Sequence, residues 1–217
     1  MNYRDWLTSL ALPYLGEHPV ELGSGLGNHA QMWLDKGVPR ITVSDVEPGM
    51  LEHLRQRFAE EPRVDVCTFD VLAPPPGEFS ALAAYNVLEH IPDHVGALRS
   101  AHSLLRPGGK VVMLVPAFEF AMSRFDHLVG HQRRYTVASL AEAFTRAGLE
   151  TETVHYVNMP GLLAWFVFMR LLRKEPDQGR LVSIWDDQVI PRVRRWEQRH
   201  RARFGQSVFG VARVPAP

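Results

Sequence analysis

Residues 18–28, His-Pro-Val-Glu-Leu-Gly-Ser-Gly-Leu-Gly-Asn, constrain the fold more than any other stretch of the chain. Val20 and Leu22 read as a short buried strand, which breaks into Gly23, Gly25 and Gly27. A helical pattern follows in Ala30, Met32, Trp33 and Leu34. A glycine-rich turn between strand and helix lets the backbone approach a ligand and aims free N–H groups at it. The spacing is Gly-x-Gly-x-Gly. A dinucleotide fingerprint requires Gly-x-Gly-x-x-Gly, and Asn28 stands where its third glycine belongs. A nicotinamide-dependent oxidoreductase is disfavoured on that ground.

The remaining elements alternate around this turn. Residues 2–15 read as a leading helix through Tyr3, Trp6, Leu7 and Leu10. Arg40–Val46 reads as a second strand containing Asp45, and Pro48 opens a helix with Met50, Leu51, Leu54 and Phe58 on one face. Val64–Phe69 is a third strand ending at Asp70, and Ser80–Asn86 is a fourth. A helix over 93–105 is expected to stop at Arg-Pro-Gly-Gly, before an almost wholly apolar fifth strand, Lys110–Val115. Such strands are buried on both faces, as in parallel sheets. Pro116–Tyr135 reads as a long connection, a length usually reserved for function. Thr136 can cap a helix over 137–147, and Glu150–Val157 and Ser207–Val214 read as the last strands. The pattern is that of a doubly wound α/β domain, and 217 residues suit one such domain.

Five segments in this order resemble the class I S-adenosylmethionine (SAM)-dependent methyltransferases. They are Glu-Leu-Gly-Ser-Gly-Leu-Gly (21–27), Val-Ser-Asp (43–45), Phe-Asp-Val (69–71), Tyr-Asn-Val-Leu-Glu-His-Ile (85–91) and Leu-Leu-Arg-Pro-Gly-Gly-Lys-Val (104–111). The set is similar to the small methyltransferase-domain families that include the ubiquinone-type O-methyltransferases. Gly-His-Gln-Arg-Arg-Tyr-Thr (130–136) is similar to a segment of bacterial members that tailor cell-envelope glycans or secondary metabolites. The resemblance implies a Rossmann-like, seven-stranded sheet with an antiparallel last strand and SAM as cofactor. It also implies a core of residues 1–158 and 207–217, with a helical cap, 159–206, inserted before the last strand.

By that resemblance, Glu21, Gly23, Ser24 and Gly25 line the cofactor at the first loop. Asp45 takes the ribose hydroxyls with Val46 beside it, Asp70 and Val71 take the adenine, and Asn86 lies near the methionine end. Methyl transfer is a displacement that needs alignment, plus a base if the nucleophile carries a proton. His90, His127 and His131 are the candidate catalytic residues; a structural role for His90 fits the sequence equally well. Arg133, Arg134, Tyr135 and Trp165 are the candidate acceptor contacts, since adjacent arginines suit a phosphate or carboxylate. The alternative pairs one arginine with Asp126 or Glu119 and leaves the other in solvent. No metal is expected. Related quinone O-methyltransferases hold a divalent ion with acids and a histidine in this stretch, and Asn86 replaces one of those acids.

Composition narrows the partners. Residues 1–160 carry 13 Lys/Arg and 19 Asp/Glu, and residues 161–217 carry 11 and 5, so a neutral whole hides a basic C-terminal quarter. Neither the overall balance nor the segment after the fourth strand points to nucleic acid. One cysteine, Cys67, excludes an internal disulfide and suits a reducing compartment. The first residues lack the charged-then-apolar order of a signal peptide, and the most apolar run, Gly161–Leu172, contains Arg170 and is too short to span a bilayer. A cytoplasmic monomer or homodimer is expected. That run, with the arginines at 192, 194, 195, 199, 201 and 203, would serve a hydrophobic, lipid-linked acceptor or peripheral membrane contact through 161–204. The leading reading is methyl transfer to a small or lipid-linked acceptor, anionic if the arginines bind it; the competing one is a SAM-binding accessory protein without turnover.

Overall fold

The computed structural model describes residues 2–74, 76–166 and 183–216. Seven strands form one sheet: β1 (Val20–Leu22), β2 (Ile41–Ser44), β3 (Val64–Cys67), β4 (Phe79–Tyr85), β5 (Leu105–Pro116), β6 (Glu150–Val157) and β7 (Ser207–Arg213). Their order is β3-β2-β1-β4-β5-β7-β6. The β1 to β5 neighbours pair in parallel, whereas β7 runs antiparallel to both β5 and β6. That is the Rossmann-like methyltransferase sheet expected above. The order reverses at β1/β4, and the crevice outside the carboxyl ends there is where open α/β sheets take ligands.

Two layers of helix cover the sheet. On one side, α1 (Asn2–Leu15), α2 (Asn28–Asp35) and α3 (Pro48–Arg57) bury Trp6, Ala11, Trp33 and Leu54 against the sheet. Trp33 is wholly buried, so its indole N–H needs a partner, and it donates to the Thr8 carbonyl at 2.9 Å. On the other side lie α4 (His94–Arg99), α5 (Ala101–Leu104) and α7 (Val137–Arg146). They bring Leu98, Leu104, Leu140 and Phe144 to the same apolar cluster as Val111 and Met113. Helix α7 lies so close to β7 that a Cβ at Gly210 would stand 2.7 Å from Leu140 Cδ2. Thr136 caps it as expected, accepting from the Ser139 N–H at 3.1 Å.

Three segments differ from the sequence expectation. The helix over 93–105 breaks at Ser100 into α4 and α5, and β5 starts at Leu105 rather than Lys110. Arg-Pro-Gly-Gly therefore lies inside a strand. Leu105 pairs with Phe79, the register then shifts, and Gly108 donates to the Val214 carbonyl at 3.1 Å. The connection 117–135 has structure of its own: a 3-10 turn at Glu119–Ala121 and a short helix, α6 (Arg124–Leu128), capped by Ser123. A bridge between Ala117 and Tyr135 closes its base. After β6 come α8 (Met159–Trp165) and, past the undescribed stretch, the helical residues 185–197. These return across α1, where Arg194 meets Asp5 at 2.6 Å and Asp186 accepts from the Asn2 N–H at 2.7 Å. Phe168, Met169, Arg170 and Leu172 lie outside the described residues.

Strain concentrates at one end of the sheet. The non-glycine residues with positive φ among those described are Asn86 (54°), Phe118 (62°) and Asn158 (62°). Each follows the carboxyl end of a strand: β4, β5 and β6 respectively. Backbone held in sparsely populated regions clusters where ligands are handled, and here all three stand at the face that the glycine turn also reaches.

Candidate active site

The glycine turn is shaped by three left-handed residues, Gly23 (φ 61°), Gly25 (52°) and Gly27 (71°). They are not equivalent. A Cβ at Gly27 would press 2.6 Å from Phe58 Cε2, so this glycine seats the start of α2 on the core. A Cβ at Gly25 would meet nothing within 4 Å, which leaves open space beside the backbone. Ser24 is buried and locks the turn to β2, its N–H donating to the Ser44 carbonyl at 2.9 Å.

Asp45 stands one residue beyond β2 with 9% of its surface exposed. One carboxylate oxygen accepts from Gly25 N–H at 2.9 Å and the other from Glu47 N–H at 3.0 Å. Each oxygen keeps a lone pair, so the carboxylate is held in place and retains capacity for a diol. Glu21 lies inside β1, between Val43 and Ala83, and is almost wholly buried. Burial, with the Asp45 charge adding to it, pushes its carboxyl up to about 8, and its Oε2 has no partner. Asp70 is exposed and takes the Leu72 N–H at 2.8 Å, while Val71 packs on the core beside Val87 and Leu88. Val46 is 79% exposed and Asn86 is also exposed. All these positions lie at or near the carboxyl ends of β1 to β4.

The acceptor candidates separate more sharply. Arg134 is buried, and its Nε and Nη2 both reach Asp126 Oδ1, at 3.0 and 2.7 Å, while Nη1 donates to the Ala117 carbonyl. Its guanidinium also lies 5.1 Å from the Trp165 ring centroid. Arg133 donates to the carbonyls of Ile91 and Pro92. Both guanidiniums are thus engaged within the protein, and the pairing of one arginine with Asp126 is the alternative that the geometry realises. The other arginine does not stand in solvent: it pins the connection to the turn after β4. Tyr135 is buried, its hydroxyl 3.0 Å from His94 Nδ1. Trp165 donates to the Ala121 carbonyl at 3.2 Å.

Of the candidate histidines, His127 is exposed on α6. His90 and His131 come together, ring centroids 4.6 Å apart. His131 Nδ1 is 2.8 Å from Asp126 Oδ1, and Asp126 is fully buried. Burial alone would raise the Asp126 carboxyl; the bonds from His131 and Ser123 and the Arg134 charge outweigh it and hold the group well below the carboxylate range. Glu89, beside His90 and also fully buried, has no hydrogen-bond partner on either carboxylate oxygen. Sequence reasoning saw Asp126 only as an arginine partner and gave Glu89 no role. Their buried side chains become visible only once the two loops are docked, by Gln132 N–H donating to the Glu89 carbonyl at 2.8 Å.

Beyond β5 and β6 lies a hollow of about 400 Å³ lined by Phe118, Phe120, Leu162, Leu163, Phe166 and Phe204. Phe118, whose φ is positive, stacks on Phe120 (5.1 Å) and Tyr156 (4.9 Å).

A glycine turn after the first strand, a held acid after the second and the strand order with its antiparallel β7 together define a class I SAM-dependent methyltransferase domain, with SAM as cofactor. Residues 20–111 match the family described as Methyltransferase domain, and the chain carries that domain. The ubiquinone biosynthesis O-methyltransferase of Xanthomonas euvesicatoria is 29% identical over 163 residues, 67% of this chain and 68% of that one. The polyketide synthase component of lovastatin nonaketide synthase from Aspergillus terreus is 30% identical over 121 residues, 51% of this chain but only 4% of that protein. Among solved structures, a Haloferax volcanii methyltransferase in complex with the Trm112 methyltransferase activator superimposes with a TM-score of 0.68 at 18% identity, over 99% of this chain and 92% of that one. A geranyl diphosphate methyltransferase bound to SAM gives 0.68 at 16%, over 96% and 84%. No described helix is long and apolar enough to cross a membrane.

Proposed function

We propose that the chain transfers the methyl group of SAM to a small-molecule acceptor whose apolar part occupies the hollow around Phe118. The observation that carries this reading is the lining of that hollow, four phenylalanines and two leucines without a polar side chain. It opens at the end of the sheet to which the cofactor turn also belongs. Burying apolar surface is worth roughly 25 cal/mol per Å², so such a site selects an aromatic or prenyl body over a sugar.

For the cofactor, the orphaned Oε2 of Glu21 and the open space at Gly25 are the features a bound SAM fits. In this reading Gly23, Ser24 and Gly25 give the approach surface, Asp45 takes the ribose hydroxyls with Val46 beside it, Asp70 and Val71 border the adenine, and Asn86 borders the methionine end. Bound there, SAM would supply an activated methyl group to the acceptor, with S-adenosylhomocysteine as the leaving group. The bacterial relatives are named as O-methyltransferases, which favours oxygen as the methylated atom. A lipid-linked or secondary-metabolite acceptor suits the hollow; with both arginines engaged internally, an anionic group on it finds no free guanidinium in that pair. The described part of 159–206, residues 159–166 and 183–206, is the cap in this account, with α8 supplying one wall of the hollow.

The experiment is to measure methyl transfer from labelled SAM to hydroxylated aromatics with and without an apolar tail, using wild type and Leu163→Glu. Leu163 is 60% exposed on the wall of the hollow, so the protein tolerates the carboxylate. KM for the tailed acceptor should rise at least about tenfold with SAM affinity unchanged. An unchanged KM places the acceptor elsewhere. SAM binding without turnover on any acceptor supports the accessory protein.

A further inference from the structure

The arginine-rich stretch 192–203 contains one acid, Glu197, at the end of the returning helix (Ile190–Glu197). Half-buried, its carboxylate turns inward and accepts from two backbone N–H groups, Asn158 at Oε2 (3.0 Å) and Met159 at Oε1 (2.9 Å). Those amides join β6 to α8, the short helix that walls the hollow.

Helix α8 has 7 residues, and isolated helices below about 12–15 residues are marginal in water. Packing does little to replace that: Gly161 and Leu162 are buried, but Leu163 is 60% exposed. The start of the helix is held by hydrogen bonds instead. Met159 N–H goes to Glu197, Pro160 has none, and Gly161 N–H goes to Asn158 Oδ1 at 3.2 Å. The donors that a helix start leaves without partners are thus taken up from outside the helix.

Asn158 connects this start to the other walls. Its Nδ2 donates to Gln206 Oε1 at 2.8 Å, and its carbonyl accepts from Gln206 N–H at 3.0 Å. The Gln206 carbonyl in turn accepts from Ala117 N–H at 2.9 Å. Phe118 follows Ala117, and Phe204 stands just before Gly205 and Gln206, so these lining residues hang from the same node. The node is closely packed: a side chain at Gly161 would collide with the Asn158–Gln206 amide pair, and one at Gly205 with the Val157 carbonyl. The returning helix is itself fixed on α1 by Arg194 and Asp5.

We propose that Glu197 is a positioning residue for the acceptor: by holding the start of α8 against Gln206, it sets the width of the hollow and so the size of the apolar body accepted. This rests on the reading of the hollow as the acceptor site. Alanine at 197 leaves both N–H groups unpaired and lets α8 shift. Glutamine keeps one acceptor oxygen but turns an amide N–H toward the other donor, so it holds α8 in part.

The test compares wild type, Glu197→Ala and Glu197→Gln, with Gln198→Ala, an exposed neighbour, as control. Hydrogen exchange over 158–166 should speed up at least about tenfold in Glu197→Ala, with β1 to β5 unchanged. Kinetics with hydroxylated aromatics of graded tail length form the second arm. Discrimination in kcat/KM between tailed and untailed acceptors should fall at least about tenfold, through KM for the tailed one, with kcat and SAM affinity at wild-type values. Glu197→Gln should lie between, and Gln198→Ala should match wild type. Lost stability alone would lower turnover of all acceptors alike and leave discrimination intact. Unchanged exchange, or faster exchange with unchanged discrimination, overturns the role of Glu197. Leu163→Glu tells this apart from failure of the underlying reading. An unchanged KM in that variant moves the acceptor elsewhere, and the exchange over 158–166 then decides alone whether Glu197 holds α8.

Discussion

Replacing Gly25 and Gly27 by alanine, one at a time, separates the two duties of the glycine turn. Both have positive φ, 52° and 71°, and an L-residue in that region costs about 1–2 kcal/mol. At Gly25 nothing lies within 4 Å of the added methyl, so strain is the whole stability effect. At Gly27 the methyl meets Phe58 Cε2 at 2.6 Å and Leu54 Cδ2 at 3.0 Å, and both side chains are buried. Overpacking adds about 1–3 kcal/mol, for a total of about 2–5 kcal/mol. With a urea m-value of about 2 kcal/mol/M, Gly25→Ala should lower the midpoint by about 0.5–1 M and Gly27→Ala by about 1–2.5 M. Cofactor affinity should reverse the ranking. The Gly25 methyl projects into the space assigned to SAM and should weaken S-adenosylhomocysteine at least about tenfold. Gly27→Ala, once folded, should bind it normally. The reasoning fails if Gly25→Ala binds like wild type, or if the two variants melt at the same urea concentration.

Other perturbations reach different parts of the structure. His29 is held down to about 4 by burial, with Arg4 adding to it, so the folded chain keeps it neutral while the unfolded chain protonates it near 6.5. Stability is then full above about pH 6.5 and falls as pH drops toward 4, by up to about 3 kcal/mol; His29→Gln should flatten that part of a pH series of urea melts. Arg134→Ala leaves buried Asp126 without its guanidinium and should cost about 3–5 kcal/mol, read as a lowered melting temperature. A variant that melts like wild type would return Arg134 to the acceptor. Asn158→Ala removes both the side-chain cap on Gly161 N–H and a residue tolerant of φ 62°, and should cost about 2–3 kcal/mol in the same assay.

How far the residues announced this architecture depends on how local the determinant is. The glycine turn, Pro48 at the start of α3, Thr136 at the start of α7 and the apolar run of β5 act over a few residues, and each lies where sequence placed it. The start of β5 was missed because Leu105 and Gly108 are drawn into the sheet by Phe79 and Val214, partners remote in sequence. The Asp45 position after β2 was legible from strand end and acid together. The arginine pair was not: Arg133 and Arg134 are adjacent and chemically alike, yet one is buried on Asp126 and the other ties down the Ile91–Pro92 backbone. Glu89 reads as an ordinary helix-turn acid until its burial is known. Phe118 has no local signal for a positive φ; its N–H donates to the Tyr135 carbonyl at 2.8 Å, a partner remote in sequence.

The central claim, that the carboxyl ends of β1 and β2 hold SAM, is tested most directly by calorimetric titration of S-adenosylhomocysteine into wild type and Asp45→Ala. Asp45 is positioned by Gly25 and Glu47 N–H groups and would give charge-assisted hydrogen bonds to the ribose, worth about 1.5–3 kcal/mol. One molecule per chain should bind wild type, and the variant should bind at least about tenfold more weakly while remaining folded. No binding to wild type, or equal affinity in the two proteins, would contradict the assignment.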